Sequence, residues 1–208
     1  QPATTWALDT WGENMVGCTV DDGRIYEWAL ATGTPAAVVS NAPVSNRSIL
    51  VTEERFLFAL GAGGNPRLVQ WSDREDNTAW TPAATNEAGD LELNTSGQIM
   101  AGVNVRGQAL ILTSTDAHAA SYSGPPYGYG IERVGSSCGL AAEKAVAVVD
   151  AGAFWMGTHA FYGYAGGAVQ ELPSEVSDYV FSDINRGQVS KTFAVVNSSF
   201  GEVFWFYP

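Results

Sequence analysis

The clearest catalytic pattern in the sequence is Gly135 to Gly139, which reads G-x-S-x-G with Ser137 at its centre. Asp150 and His159 follow in the Ser, Asp, His order of hydrolases that use a nucleophile elbow. Such an elbow needs a strand, a sharp turn and a following helix, whereas the flanking segments here are short and typical of antiparallel strands. We therefore expect Ser137, Asp150 and His159 to be loop and strand residues, and we predict no catalytic site.

Two loops contain parts of known ligand-binding patterns. Gly61 to Gly64 follow an apolar strand, as in dinucleotide loops, but the strand Leu68 to Trp71 comes next and leaves no helix N-terminus for a pyrophosphate. Asp73 to Asn77 have the alternating oxygen ligands of a calcium loop, but Thr78 and Ala84 replace its glycine and its final glutamate. The same stretch is similar to the Asp-box turns of sialidase propellers. We predict a hairpin loop and a self-bonded turn.

Other candidate ligands and nucleophiles are few. His118 and His159 are predicted at hairpin turns or their edges, and no group of Cys or His has zinc spacing. Cys18 and Cys138 are flanked by apolar and small residues, which predicts buried, reduced thiols and synthesis in the cytoplasm. Acidic pairs lie at predicted hairpin ends, where solvated turns are expected: Asp21 and Asp22, and Glu53 and Glu54. The sequence therefore predicts no metal, no cofactor and no general acid–base pair.

Composition favours a turn-rich, all-β fold. The 208 residues are 46% hydrophobic and 15% charged, with 23 Gly and 9 Pro, and this profile argues against disorder. The net charge is −12, and Lys144 and Lys191 are the two lysines. Such a chain is a poor binder of nucleic-acid phosphates or anionic membranes. No apolar stretch approaches the ~20 residues of a membrane-spanning helix.

A block of short strands recurs along the chain. The blocks begin near Trp6, Ser48, Ile99 and Ala145, and each has two apolar strands, then a third that ends in an aromatic residue. Those aromatic residues are Trp28, Trp71, Tyr122 and Tyr164, which are 43, 51 and 42 residues apart. We expect Trp28 and Trp71 to be buried in the cores of their blocks. This period predicts a β-propeller, although a two-sheet sandwich explains the strand count equally well.

The predicted propeller has about four four-stranded blades and a partial fifth. Outer strands are predicted at Ala36 to Val39, Gly130 to Val134 and Val169 to Leu172, while that of the second blade, somewhere after Trp80, is undefined. Ser177 to Ile184 is predicted as a short helical turn. The fifth block has two predicted strands, Phe193 to Asn197 and Val203 to Tyr207. We expect one domain over residues 1–208 and a longer polypeptide that includes it.

Several segments resemble the tail nozzle proteins of short-tailed bacteriophages, also called packaged-DNA stabilisation proteins. The resemblance covers most of residues 10 to 207. The segments that carry it are Val51 to Gly61, Gln70 to Asn77, Thr81 to Leu91, Phe154 to Gly157 and Asp178 to Asn185. It implies a structural virion protein with a propeller domain and no catalysis. It further implies that six copies ring the DNA exit channel in the virion tail, below the portal and adaptor.

The resemblance implies contacts with the tail adaptor and with other copies of the chain, and synthesis in the bacterial cytoplasm. Phage DNA would pass through the ring without specific contact, consistent with the acidic composition. One alternative is a propeller scaffold or receptor-contact module that binds a partner protein or glycan. A third possibility is a propeller hydrolase that acts on glycans.

Overall fold

The chain forms four antiparallel sheets of four strands and a fifth sheet of two strands. The computed structural model describes residues 5–125 and 127–208. Residues 1–4 and residue 126 of the expected domain 1–208 lie outside this described part. Each four-stranded sheet has its strands in chain order, as in the blades of a propeller. The predicted all-β propeller of four blades and a partial fifth is therefore confirmed.

The strands of the first two blades are, in chain order, β1 (Trp6–Trp11), β2 (Asn14–Thr19), β3 (Ile25–Trp28), β4 (Ala37–Val38), β5 (Ser48–Val51), β6 (Leu57–Leu60), β7 (Leu68–Trp71) and β8 (Gly89–Glu92). The strands of the next two are β9 (Ile99–Val105), β10 (Gln108–Thr113), β11 (Asp116–Gly124), β12 (Gly128–Ser136), β13 (Val146–Val149), β14 (Gly152–Met156), β15 (Phe161–Tyr164) and β16 (Gln170–Leu172). The fifth blade has β17 (Phe193–Asn197) and β18 (Glu202–Phe206).

Short helical segments lie outside the sheets. Helix α1 (Ser177–Asp183) follows the fourth blade, where the sequence predicts a helical turn. Two 3₁₀ segments cover Ala62–Gly64 and Arg186–Lys191. The outer strand of the second blade, which the sequence leaves undefined, is β8, and the residues between β7 and β8 form a long insertion. None of the helices in the described part of the chain is long and apolar enough to cross a membrane.

The first strand of each blade lies at the centre of the propeller. These inner strands contact one another in chain order: β1 with β5, β5 with β9, β9 with β13, and β13 with β17. Every sheet pairing is antiparallel, so all inner strands run in the same direction along the axis. We call the end where they begin the entry face and the opposite end the exit face. The entry face consists of the links between blades and the turns between second and third strands.

Three clusters of buried side chains fill the junctions between neighbouring blades. The cluster between blades 1 and 2 includes Val16, Ile25, Ile49 and Leu57, and that between blades 2 and 3 includes Phe58, Trp71, Ile111 and Tyr129. The third cluster, between blades 3 and 4, includes Leu110, Leu140, Trp155 and Tyr164. Burial of both sheet faces explains the nearly continuous apolar runs in β6 and β10.

The outer faces of blades 1 and 5 remain uncovered in this chain. Trp6 and Leu8 on β1 are 44% and 58% exposed. On blade 5, cross-strand partners Phe193 and Phe206 stack on the exposed face and are 44% and 51% exposed. Trp28 lies on the uncovered face of blade 1 and is half-buried, so its predicted burial in a blade core is wrong. Trp71, which ends the third strand of blade 2 and faces blade 3, is buried as predicted.

Candidate functional site

The inner strands of blades 1 to 4 line a narrow axial cavity of about 210 Å³, which we call the channel. At its entry end, Arg47 of blade 2 forms an ion pair with Glu143 of blade 4, with 3.1 Å between nitrogen and oxygen. The same guanidinium group donates a hydrogen bond of 3.1 Å to the side chain of Gln98 in blade 3. Three blades are thus joined across the axis, and these charged side chains make the channel mouth polar.

Side chains also connect the inner strands near the exit face. The backbone N–H of Val51 donates to Asp9 Oδ2 of blade 1 at 2.8 Å. Its carbonyl oxygen accepts a 2.7 Å hydrogen bond from the side-chain amide of Asn104 in blade 3. No sheet ladder joins β1, β5 and β9 in the described part of the chain, and these two side chains satisfy backbone groups of Val51 that a ladder would pair. The channel wall is therefore held by polar contacts at both ends.

Polar depressions recur on the entry face at successive blade junctions. One of about 280 Å³ lies between blades 1 and 2, next to Gly23 and Asn46. A second, of about 520 Å³, lies between blades 2 and 3, next to Ser96 and Ser114. A third, of about 430 Å³, lies between blades 3 and 4, and we call it the blade 3–4 groove. Equivalent loops form all three, so this face is a repeated surface of polar recesses.

The blade 3–4 groove has a buried carboxylate in its wall. Asp116, which is 5% exposed, begins β11. Its Oδ1 atom accepts hydrogen bonds from the hydroxyl groups of Thr95 at 2.8 Å and Thr113 at 2.5 Å. Its Oδ2 atom lies 3.8 Å from a guanidinium nitrogen of Arg133, a distance too long for a hydrogen bond. One carboxylate oxygen is thus fixed by the protein, and the other accepts no hydrogen bond from the described residues.

His118 lies behind this carboxylate, inside β11 and not at a turn edge as predicted. Burial lowers the pKa of His118, and this effect outweighs the neighbouring Asp116 carboxylate, which acts in the opposite direction. The imidazole is therefore neutral at neutral pH, and its Nε2 atom lies 3.2 Å from Asp116 Oδ1. The contact is then a hydrogen bond from a neutral ring, so the charge of Asp116 is not cancelled by His118.

The three residues of the G-x-S-x-G pattern do not come together. Ser137 and His159 lie in entry-face loops and both line the blade 3–4 groove. Asp150 lies in the turn between β13 and β14 at the exit face, and the five residues of β14 separate the two ends by about 16 Å. Neither Ser137 nor His159 donates a side-chain hydrogen bond to the other in the described part of the chain. The elbow geometry is absent too, because β13, not a helix, is the next regular element.

Both predicted loops have the expected structure. Gly61 to Gly64 form a hairpin loop that includes a 3₁₀ turn, and β7 follows. In the Asp73 to Asn77 turn, Asp73 Oδ1 accepts from the backbone N–H of Arg74 at 2.8 Å, and Asp76 accepts from the hydroxyl group of Thr78 at 2.6 Å. These carboxylates are used by the turn itself. Within residues 5–125 and 127–208, no three His, Cys, Asp or Glu side chains group as metal ligands.

The two cysteines are buried and free, as predicted. Burial is the main cause that raises the pKa of the Cys18 thiol to about 12 and that of Cys138 to about 11. Nearby carboxylates, Asp22 for the first and Asp116 for the second, act in the same direction. Since thiolates are the reactive form, both thiols are inert at neutral pH. They are packing residues.

Sequence reasoning missed the Arg47–Glu143 ion pair and the Asp116 carboxylate. Both depend on residues from different blades or from separated loops, so no local spacing marks them. A weak signal exists for Asp116. It follows Thr113, Ser114 and Thr115, and such a run of hydroxyl residues before an acidic residue at a turn can saturate one carboxylate oxygen.

Comparison with known proteins supports the fold and leaves the family open. No protein-family model matches this chain, and no curated protein matches it. Among solved structures, the extracellular domain of BT4673 from B. thetaiotaomicron is 10% identical with a TM-score of 0.62, and it aligns with 97% of this chain. A catalytically inactive virginiamycin B lyase from Staphylococcus aureus, with quinupristin, is 8% identical with a TM-score of 0.59 over 98% of this chain.

A third structure, BBS1N in complex with ARL6DN, is 16% identical with a TM-score of 0.51 and aligns with 85% of this chain. The aligned region spans 26% of the BT4673 chain, 69% of the lyase chain and 56% of BBS1N. At 8 to 16% identity, these similarities show a shared fold and carry no residue roles. The chain is thus a β-propeller domain.

Proposed function

We propose that this chain is a non-catalytic β-propeller binding module whose entry face contacts a partner protein or glycan. The observation that carries the proposal is the row of polar recesses on this face, one at each of three successive blade junctions. Equivalent loops of blades 1 to 4 contribute, so a partner can make repeated contacts along one surface. The separation of Asp150 from Ser137 and His159 supports a binding role over hydrolysis.

The chemistry of this face supports a polar partner. Serine, threonine and glycine residues make up most of the lining of the blade 3–4 groove, and hydroxyl groups both donate and accept hydrogen bonds. The net charge of −12 disfavours phosphate backbones and anionic membrane surfaces. A hydroxylated or amide-bearing partner therefore fits this surface better than a nucleic acid does.

A glycan array, probed with the intact chain, tests the proposal. Ser96 is exposed between two of the recesses, and Ser96→Tyr would block both without removing a buried side chain. Ala151→Tyr is the matched control, because Ala151 is exposed in an exit-face turn. We expect the unmodified chain to bind at least one glycan on the array. Ser96→Tyr should abolish this binding, and Ala151→Tyr should leave it unchanged. Cleavage of the bound glycan, or loss of binding with Ala151→Tyr alone, would contradict the proposal.

A second candidate function is the tail nozzle of a short-tailed bacteriophage. It is supported by the sequence resemblance in Val51 to Gly61, Gln70 to Asn77 and Asp178 to Asn185, and by the acidic composition. In this case the propeller would be one of six copies around the exit channel, in contact with the tail adaptor. The cavity of about 210 Å³ between the inner strands of blades 1 to 4 is far too small for a DNA duplex, whose major groove alone is about 12 Å wide. The DNA conduit would therefore form between copies.

Cryo-electron microscopy of purified virions tests the nozzle function directly. We expect propeller density at the tail tip in a six-fold ring. We also expect the isolated chain to bind duplex DNA immeasurably weakly at physiological salt, because ten basic residues offer few phosphate contacts. Absence of the propeller from the tail, or micromolar duplex affinity, would refute the nozzle function and leave the binding-module proposal standing.

A further inference from the structure

The blade 3–4 groove contains an acceptor that the protein does not use. Asp116 is buried, yet it lines this cavity of about 430 Å³. Thr95 and Thr113 occupy its Oδ1 atom, while Oδ2 has Arg133 as its nearest charged neighbour at 3.8 Å. The Oδ2 atom is not among the buried unpaired atoms of the described residues, so it faces the open groove. A ligand hydroxyl group in the groove would take the place of solvent as its hydrogen-bond donor.

The walls of the groove provide complementary groups at short range. Arg133 is half-exposed and offers guanidinium donors next to the free carboxylate oxygen. Ser137 and Thr158 on the rim add hydroxyl groups, and His159 adds an imidazole. No other described residue accepts or donates a side-chain hydrogen bond at Ser137 Oγ, Thr158 Oγ1 or the His159 ring. All of these groups are therefore available to a ligand.

Backbone geometry constrains the loops that line the groove. Ser137 has a positive φ of 57° in the link between blades 3 and 4. Gly139 packs against the backbone of Ser114 so closely that a Cβ atom there would overlap its carbonyl oxygen. The two loops that line the groove are thus fixed against each other. Preformed sites of this kind lose little conformational entropy on binding.

We propose that the blade 3–4 groove binds a neutral sugar residue through two adjacent hydroxyl groups, with Asp116 Oδ2 as their acceptor and Arg133 as a donor. This deepens the proposed binding function and rests on it. A vicinal diol offers two donors to one carboxylate and acceptors to a guanidinium group, which matches the pair in the groove. The cavity volume suits one or two sugar rings.

Competing ligand chemistries fit this groove less well. An anion would meet the Asp116 carboxylate at the wall, which repels it at short range. A divalent cation would need several oxygen ligands, usually including more than one carboxylate, and Asp116 is the one carboxylate among the groove residues. Neutral polyols avoid both problems, because they pair with the carboxylate and the guanidinium group together.

The test uses the intact ¹⁵N-labelled chain and the methyl glycosides of glucose, galactose, mannose and N-acetylglucosamine as probes. We expect at least one glycoside to give saturable amide shifts at Ser137, Thr158 and His159, with millimolar affinity. Asp116→Asn keeps the acceptor for Thr95 and Thr113 but replaces Oδ2 with an amide donor. We expect it to weaken binding about tenfold or more, since it removes a charged hydrogen-bond acceptor.

Asp150→Asn is the matched control, because it makes the same chemical change at the exit face of blade 4, and we expect unchanged affinity. Arg133→Gln, at a half-exposed position, tests the groove independently if Asp116→Asn fails to fold, and it should weaken binding as well. No saturable shift with any probe, or full affinity in Asp116→Asn and Arg133→Gln, would overturn the sugar site. Shifts confined to another recess would overturn this site but preserve the proposed binding function.

Discussion

Trp71 and Trp28 each end the third strand of a blade but lie on opposite faces of their sheets, and the structure predicts different costs for their removal. Trp71 is 4% exposed, stacks on Phe58 with 5.8 Å between ring centroids, and meets Tyr129 of blade 3 edge-on at 5.9 Å. Its indole N–H donates to the carbonyl oxygen of Glu87 at 2.9 Å. Trp71 is therefore part of the junction between blades 2 and 3.

Trp71→Ala should lower the free energy of unfolding by about 4 to 5 kcal/mol, the upper range for a buried aromatic residue, because it leaves a cavity and an unpaired carbonyl group. Trp28 is half-buried on a face without a neighbouring blade, and its N–H donates to nearby loop carbonyls of Ala31 and Thr34. Trp28→Ala should cost about 1 to 2 kcal/mol, in proportion to the smaller area buried.

Urea denaturation followed by far-UV circular dichroism measures both costs on the same scale. The chain has seven tryptophans, so backbone signal is preferable to fluorescence. Equal losses for the two variants would mean that the outer face of blade 1 is covered in solution. A loss below about 2 kcal/mol for Trp71→Ala would mean that the blade 2–3 junction is misassigned.

Three further outcomes follow from the site. Cys18 and Cys138 should resist thiol reagents at neutral pH until the chain is unfolded in denaturant, and rapid labelling of the native protein would contradict their burial. Because the folded pKa of His118 is lowered, its contribution to stability is present above about pH 6.5 and is lost as the pH falls. His118→Gln should therefore flatten that part of the stability profile. Ser137→Ala should leave any hydrolysis of p-nitrophenyl acetate unchanged, whereas a loss of turnover would reinstate an esterase.

Local patterns were sufficient to predict most of the strands. Turns such as Asp22-Gly23 and the alternation of apolar residues define hairpins within one blade, so β2 and β3 were predicted within about two residues. The burial of Trp28 could not be predicted the same way. Its environment depends on whether a neighbouring blade covers that face, and the repeat pattern of one blade contains no information on this point.

The candidate site was harder to predict than the fold. Asp116 is held by Thr95 from the link between blades 2 and 3 and by Thr113 at the end of β10, and the sheet geometry brings them together. Arg47 and Glu143 are far apart in sequence and meet across the channel. By contrast, the Asp73 to Asn77 turn is made by neighbouring residues, and its self-bonded structure was predicted from the local sequence.

Blades in this chain pack in linear order, so the domain behaves as a short array whose stability is a sum of terms for each blade and each junction. In the isolated 208-residue chain, blades 1 and 5 each have one junction and blades 2, 3 and 4 each have two, so amide protons should exchange fastest in blades 1 and 5. The Arg47–Glu143 ion pair adds a tie between blades 2 and 4 that skips a neighbour. In this isolated chain, opening should therefore begin at blades 1 and 5, and the blade 3–4 groove should stay formed while those two blades are open.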